Sequence, residues 1–197
     1  MIKKVNFILL LSSLTLCTFT DAYFIRHATK ADIPALVTFY KTAAVQKNNL
    51  LVKTPDEITP EYVTSIVTNK TNDGFCLVAK DDNKQLYGVI HTQRLEQTQS
   101  QTLGETTLLI NPELLGKGLD QQLLASSIHV IKESYHDILR FEAVVRESDQ
   151  QSINLYSSVG FKQEGRLEKR IVNNNGDLEA SVVMVWFRPK TVLRSKI

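Results

Sequence analysis

Cysteine is nearly missing from this sequence. Its 197 residues hold two, Cys17 and Cys76, and if Cys17 leaves with an N-terminal leader, Cys76 stands alone and no intrachain disulfide can form. An excess of one charge is missing too. The 23 Lys and Arg residues against 21 Asp and Glu leave a formal charge of +2, and the basic residues are scattered rather than gathered on one helix, which excludes nucleic acid as a partner. The histidines His27, His91, His129 and His136 stand at no metal-ligand spacing, so they read as surface or core residues and no metal is expected. There is no linker rich in Pro, Gly or Ser, no low-complexity tract and no repeat to divide the chain. What remains is one ordinary domain, 43% hydrophobic and 22% charged, long enough to bury a core without staples.

Long apolar runs are also scarce. The single one, Val5 to Phe19, follows Lys3 and Lys4 and falls short of the roughly 20 residues a spanning helix needs. Thr20 and Ala22 suit the small-residue positions before a cut, so the layout is that of a secretory signal peptide cleaved after Ala22. The expected organisation is a signal peptide over 1–22, one domain over 23–190 and a short tail over 191–197. The mature chain then has no stable membrane span and is exported, periplasmic or secreted; a cytoplasmic location is the alternative. "NKT" at Asn69 matches a glycosylation acceptor, a pattern too common to weigh.

Periodicity supplies the elements. "YFIRH" is a short strand, and Thr29 with Asp32 opens a helix carrying Ile33, Leu36, Val37 and Tyr40 on one face. Thr59, Pro60 and Glu61 open a short second helix. "GFCLVAKDDNKQLYGVIHTQRLE" is a hairpin about the turn "DDNK", and "GETTLLINP" a further strand ended by Pro112. A helix from about Leu119 to Tyr135 follows, then the strand "ILRFEAVVRE", a helix in "DQQSINLYSSV" closed by Gly160, and two strands about "NNNGD". This order describes a mixed α/β sheet.

The stretch "INPELLGKGLDQQLL" places Gly116 and Gly118 around Lys117 just before a helix. Two readings stand: a strand-to-helix turn needing positive φ, or a cradle in which glycines admit a close ligand and the unpaired amides of a helix start face an anion.

Together with "NLYSSVGF" downstream, this stretch resembles the GNAT superfamily of N-acetyltransferases. The resemblance covers nearly the whole chain after residue 22: "YFIRHATKADIPAL" is similar to the family's opening strand and helix, and "GFKQEGRLEKRIVNNNGDLEASVVM" to its closing hairpin. It implies a mixed, mostly antiparallel sheet of about six to seven strands, flanked by about four helices and splayed between strands 4 and 5. It implies an acyltransferase moving an acetyl group from acetyl-CoA to a primary amine on a small molecule or protein. The pantetheine arm would pair with the backbone of Leu108, Leu109 and Ile110, and the pyrophosphate would lie on the amides of Gly116, Lys117, Gly118, Leu119 and Asp120. Asp149 would stand near the coenzyme. The implied partners are acetyl-CoA and an amine acceptor, and a homodimer is compatible with them.

The cradle departs from the family's usual Q/R-x-x-G-x-G/A pattern. Leu115 replaces a polar residue, an exchange that would suit a core contact. Asp120 replaces a small one, and a carboxylate 4 Å from a pyrophosphate charge is repelled by roughly 4 kcal/mol at an effective dielectric of 20. The bland role for Asp120 is first-turn capping, worth about 0.3 to 1 kcal/mol. These departures keep a second function open, a catalytically degenerate GNAT-fold module that is exported and binds a ligand or partner. For catalysis, Glu105 is the first candidate for the base that takes the amine proton, Glu142 the runner-up, and Tyr156 the candidate donor to the departing thiolate. Their bland readings are a solvated strand-end carboxylate and a core tyrosine.

Overall fold

The computed structural model describes residues 23–45, 53–68, 74–95, 102–172 and 175–189, with the side chains of 102–106 excepted. The leader, Asn69 and the tail lie outside the described residues.

Seven strands form one sheet. β1 is Tyr23–His27, β2 Gly74–Asp81, β3 Leu86–Arg94, β4 Thr102–Ile110, β5 Arg140–Arg146, β6 Lys162–Val172 and β7 Leu178–Phe187, in the order β1-β2-β3-β4-β5-β7-β6. Every neighbouring pair is antiparallel except β4 with β5. Four α-helices, α1 (Ile33–Ala44), α2 (Pro60–Thr68), α3 (Leu119–Ser134) and α4 (Gln150–Ser158), cover the two faces. No helix among the described residues is long and apolar enough to cross a membrane.

Strand alternation divides the core into two layers. Phe75, Leu77 and Ala79 of β2 point to the layer of α3 and α4, with Leu119, Leu123, Leu124, Ile128 and Ile131. Cys76 and Val78 point the other way, to Leu36 and Tyr40 of α1 and Val63 and Ile66 of α2. β2 is therefore buried on both faces, which explains why its sequence is apolar throughout rather than alternating. Cys76 is a buried free thiol, its pKa pushed up to about 12 by burial, so it is an inert packing group.

The start of the first helix differs from the sequence expectation. Thr29 does not cap α1 directly; a 3-10 turn, Lys30–Asp32, intervenes, and Thr29 and Asp32 form a capping box around it. Asp32 is 2% exposed and accepts from Arg26 at 2.7 Å, from Lys80 Nζ at 2.9 Å and from the Thr29 amide at 2.8 Å. One carboxylate thus ties β1, the first turn and β2 together. The Arg26 guanidinium, with Lys80 and Thr29, holds it well below the usual carboxylate range against the opposing effect of burial.

The pairing of β3 with β4 places an irregularity where it matters. His91 pairs with Thr107 and Gln93 with Gly104, so β4 spends three steps where β3 spends two. That is a β-bulge at Glu105 and Thr106, and a bulge bends its strand and increases the local twist. Pairing of β4 with β5 is confined to Thr102 with Arg140 and Leu103 with Phe141, on the near side of the bulge. Beyond it the two strands part.

Replacing Asp32 by Ala would leave the buried Lys80 ammonium without its carboxylate. Asp32→Ala is expected to cost roughly 3 kcal/mol of stability in urea unfolding at pH 7; a loss below about 1 kcal/mol would show that the triad is not a keystone.

Candidate functional site

The parting strands open into a cleft that continues along α1, α2 and the β6–β7 hairpin, about 2730 Å³ in all. One wall is Leu108, Leu109 and Ile110 of β4, and the other is Val144, Val145 and Arg146 of β5 with the start of α4. Leu108, Leu109 and Ile110 pair with Ile90, Val89 and Gly88 of β3 on one side only. In an antiparallel pair, alternate residues aim their N–H and C=O groups away from the partner, so this edge presents backbone donors and acceptors to the cleft.

At its open end β4 runs into a tight descent. Asn111 Oδ1 accepts from the Glu113 amide at 3.1 Å and caps the short turn Pro112–Leu114. Gly116 and Gly118 then adopt φ of +71° and +87°. A Cβ at either would meet nothing within 4 Å, so it is the left-handed backbone, not crowding, that asks for glycine. Gly118 caps α3 without a side chain, leaving the amides of Leu119 and Asp120 at the first helical positions, where a helix has no internal acceptors for them. Leu119 is 1% exposed and packs in the core, so only its backbone is available to a ligand. The Lys117 side chain is exposed.

Asp120 lines the cleft. Its Oδ1 accepts from the Gln121 amide at 2.8 Å, so the carboxylate satisfies one orphan donor of the helix start and is itself held at the cradle's edge. Leu115 corrects the sequence expectation of a core contact: it is 54% exposed and lies in the cleft wall.

Across the gap, Asp149 caps α4, accepting from the Ser152 amide at 2.9 Å and the Ser152 hydroxyl at 2.7 Å. Both carboxylate oxygens are used locally. Two turns on, Tyr156 packs edge-on to Phe161 at 5.0 Å and is 4% exposed, yet it is among the cleft residues. Burial, helped by Asp149, raises its hydroxyl above the ordinary tyrosine range, so it is protonated throughout neutral pH. It can give a proton or a hydrogen bond and has no tendency to ionise first.

The two carboxylates considered as bases fare differently. β4 begins at Thr102, three residues ahead of the expected start, which puts Glu105 at the bulge rather than at the strand's first residue; its side chain lies outside the described residues. Glu142 is committed elsewhere. Arg140 Nε and Nη2 donate to its Oε2 at 2.9 and 2.7 Å, and it sits in a shallow pocket with Glu164 and Leu167 rather than in the cleft. The guanidinium two residues earlier on the same strand thus occupies the Glu142 carboxylate away from the cleft.

The fold and cleft define an α/β protein with an open gap between two half-sheets. The model of the acetyltransferase (GNAT) domain matches residues 23–162, more than half of the chain, and the protein belongs to that family. Solved structures share the fold. A ribosomal-protein-alanine N-acetyltransferase from Brucella melitensis is 24% identical over 84% of this chain and 99% of its own, with a TM-score of 0.71. An acetyltransferase of the GNAT family from Streptococcus pneumoniae is 18% identical over 85% of this chain and 100% of its own, TM-score 0.71. A spermidine N-acetyltransferase from Vibrio cholerae in complex with CoA and spermine is 17% identical over 84% and 95%, TM-score 0.66. No curated protein matches in a sequence comparison.

One cleft residue escaped the sequence reading. His91, on the face of β3 opposite α3, lines the cleft beside Thr107. Its only sequence signal is strand alternation, which puts it on the same face as Val89. The other three histidines, His27, His129 and His136, are exposed. Burial pushes the His91 ring down to about 4, so it is neutral at physiological pH and can accept a hydrogen bond from an amine, but it holds a proton weakly.

The sign of its effect on stability follows. Between about pH 6.5 and about pH 4 the unfolded chain binds a proton on this ring that the folded chain refuses. The contribution is complete above pH 6.5 and is lost as pH falls. Urea midpoints are expected to drop from pH 7 to pH 5, and His91→Gln to flatten that drop; parallel curves for the two proteins would contradict the assignment.

Proposed function

We propose that the protein transfers an acetyl group from acetyl-CoA to a primary amine of a small molecule or protein. The observation that carries this reading is one cleft lined by an unpaired β4 edge and a buried tyrosine, with a turn of left-handed glycines at its rim between Leu115 and Asp120. These fit the coenzyme without altered chemistry. Backbone groups of Leu108 to Ile110 would pair with the pantetheine amides, and the amides of Gly116 to Asp120, except that of Lys117, which donates to the Leu114 carbonyl at 3.2 Å, would take the pyrophosphate. Bound acetyl-CoA supplies the activated thioester.

The chain's residues do the rest. An amine of the lysine type has a pKa of about 10.4 and must lose a proton before it attacks; Glu105, at the bulge, is the proposed acceptor, with His91 orienting the nitrogen. Tyr156 delivers its proton or a hydrogen bond to the departing sulfur. Two of the structural neighbours, by name, act on spermidine and on ribosomal-protein alanine, so both polyamines and protein N-termini enter the field of acceptors.

A second reading, a degenerate module that binds a ligand without turnover, is favoured by Asp120 alone, because its carboxylate stands at the cradle's rim. One set of measurements separates the two. Calorimetric titration with acetyl-CoA is expected to give micromolar binding, and no binding at millimolar concentration would falsify the enzyme reading. Asp120→Gly tightens the coenzyme if the carboxylate faces the phosphates. Tyr156→Phe is expected to lower kcat about 10²-fold or more with coenzyme affinity preserved; unchanged turnover removes Tyr156 from the mechanism.

A further inference from the structure

The charges of the cleft's far wall are unevenly paired. Glu147 accepts from Arg166 at 2.5 and 2.7 Å, and Glu168 is bound to the same guanidinium. Glu179 accepts from Arg146 at 3.3 Å and from the Ser148 amide at 3.0 Å. These three carboxylates are engaged by arginines, and the fourth of this wall, Asp149, by Ser152. The cations are not. Lys169 and Arg170 line the cleft, Arg170 at the border with the pocket of Glu142 and Glu164, and neither has a carboxylate partner among the described residues. Arg146 is 13% exposed at its side chain and pairs only through the long contact to Glu179, and its buried Nε has no acceptor. An under-bonded guanidinium at a cleft wall is an unmet demand for an anion.

The backbone holds the exposed pair in place. Leu167 pairs with Ser181 and Ile171 with Glu179, so β6 spends four steps where β7 spends two. Lys169, inside this bulge, has φ of +51°, a left-handed conformation that a residue other than glycine adopts at a cost and that collects at ligand-facing segments. Arg146 and Leu167 are both register partners of Ser181, so the bulge begins in the same row of the sheet as Arg146, one strand beyond Ser181 and within reach of long side chains.

We infer that Arg146, Lys169 and Arg170 form an anion subsite for a carboxylate carried by the acceptor, and that the preferred acceptor is the N-terminal amine of an acidic peptide rather than a polyamine. This rests on the acetyltransferase reading for its reaction, though not for its charge preference. The acceptor's own chemistry agrees with it. A peptide α-amine has a pKa of about 7.7–8.0 and is partly neutral near pH 7.5, whereas a polyamine nitrogen near 10.4 is not. That eases the demand for a base in a cleft where His91 holds a proton weakly and the described wall carboxylates are tied to arginines or to Ser152.

The test uses the full chain and three hexapeptides that begin with alanine and continue with glutamates, serines or lysines, with spermidine as a fourth acceptor. Acetyl-CoA consumption is expected to give a kcat/KM for the acidic peptide about tenfold or more above that for the basic one, falling with added salt. Lys169→Glu with Arg170→Glu is expected to invert the order while coenzyme affinity stays within about twofold. Fluorescence anisotropy of the labelled peptides, with and without CoA, reads the same preference independently of turnover. Equal peptides, a preference for lysines or spermidine, or an equal loss of CoA affinity in the double variant would overturn the subsite; the last would assign these cations to the coenzyme's phosphates. Acidic-peptide binding that survives with no CoA binding would leave the subsite standing and sink the acetyltransferase reading instead.

Discussion

A single extra residue in β4 governs this molecule. Had β4 paired with β5 along its length in the register it has at Thr102 and Leu103, the sheet would be continuous and Leu108 to Ile110 would spend their backbone groups on Arg146 to Ser148. The bulge between Gly104 and Thr107 bends the strand instead. What would have been a buried parallel ladder becomes two facing walls, one offering backbone groups and the other a helix start with Asp149 and Tyr156.

Such a gap is stable only if the two half-sheets are fixed elsewhere. The α3 and α4 layer does this, because one apolar cluster takes Leu77 and Ile90 from one half and Phe141, Val145, Val182 and Met184 from the other. Arg188, just past β7, adds a polar clasp. Its guanidinium donates to the carbonyls of Ile131, Tyr135 and Ile138 at 2.6, 2.7 and 2.8 Å, tying β7 to the end of α3 and the turn after it and placing a cation where the helix dipole favours it. On the opposite face, Asp32 performs the comparable task for β1, α1 and β2.

Most of this architecture was legible in the residues. Apolar alternation, Pro60 at a helix start, and the polar turn around Asp82 and Asn83 each act over a few residues, and local rules read them. The glycines at 116 and 118 were legible for the same reason: left-handed backbone leaves a mark in residue type. Register does not. Nothing in "TLGETTLLI" announces which residue is the extra one, because a bulge is a relation between strands. The roles of Glu142 and His91 were hidden likewise, one by Arg140 and Glu164 meeting across the sheet, the other by a cleft that exists only after the strands part. Leu115 was misread because a leucine in a polar motif position suggests burial, while the turn after Pro112 swings it outward.

The proposed coenzyme lies in the gap that the bulge creates, against the β4 edge and the glycine cradle. Amide hydrogen exchange with and without saturating coenzyme A tests this placement without relying on turnover. Slowed exchange confined to residues 108–110 and 116–120, with the outer strands β1 and β6 unchanged, is the predicted result. Protection elsewhere, or none at those amides while the coenzyme is demonstrably bound, would contradict the account.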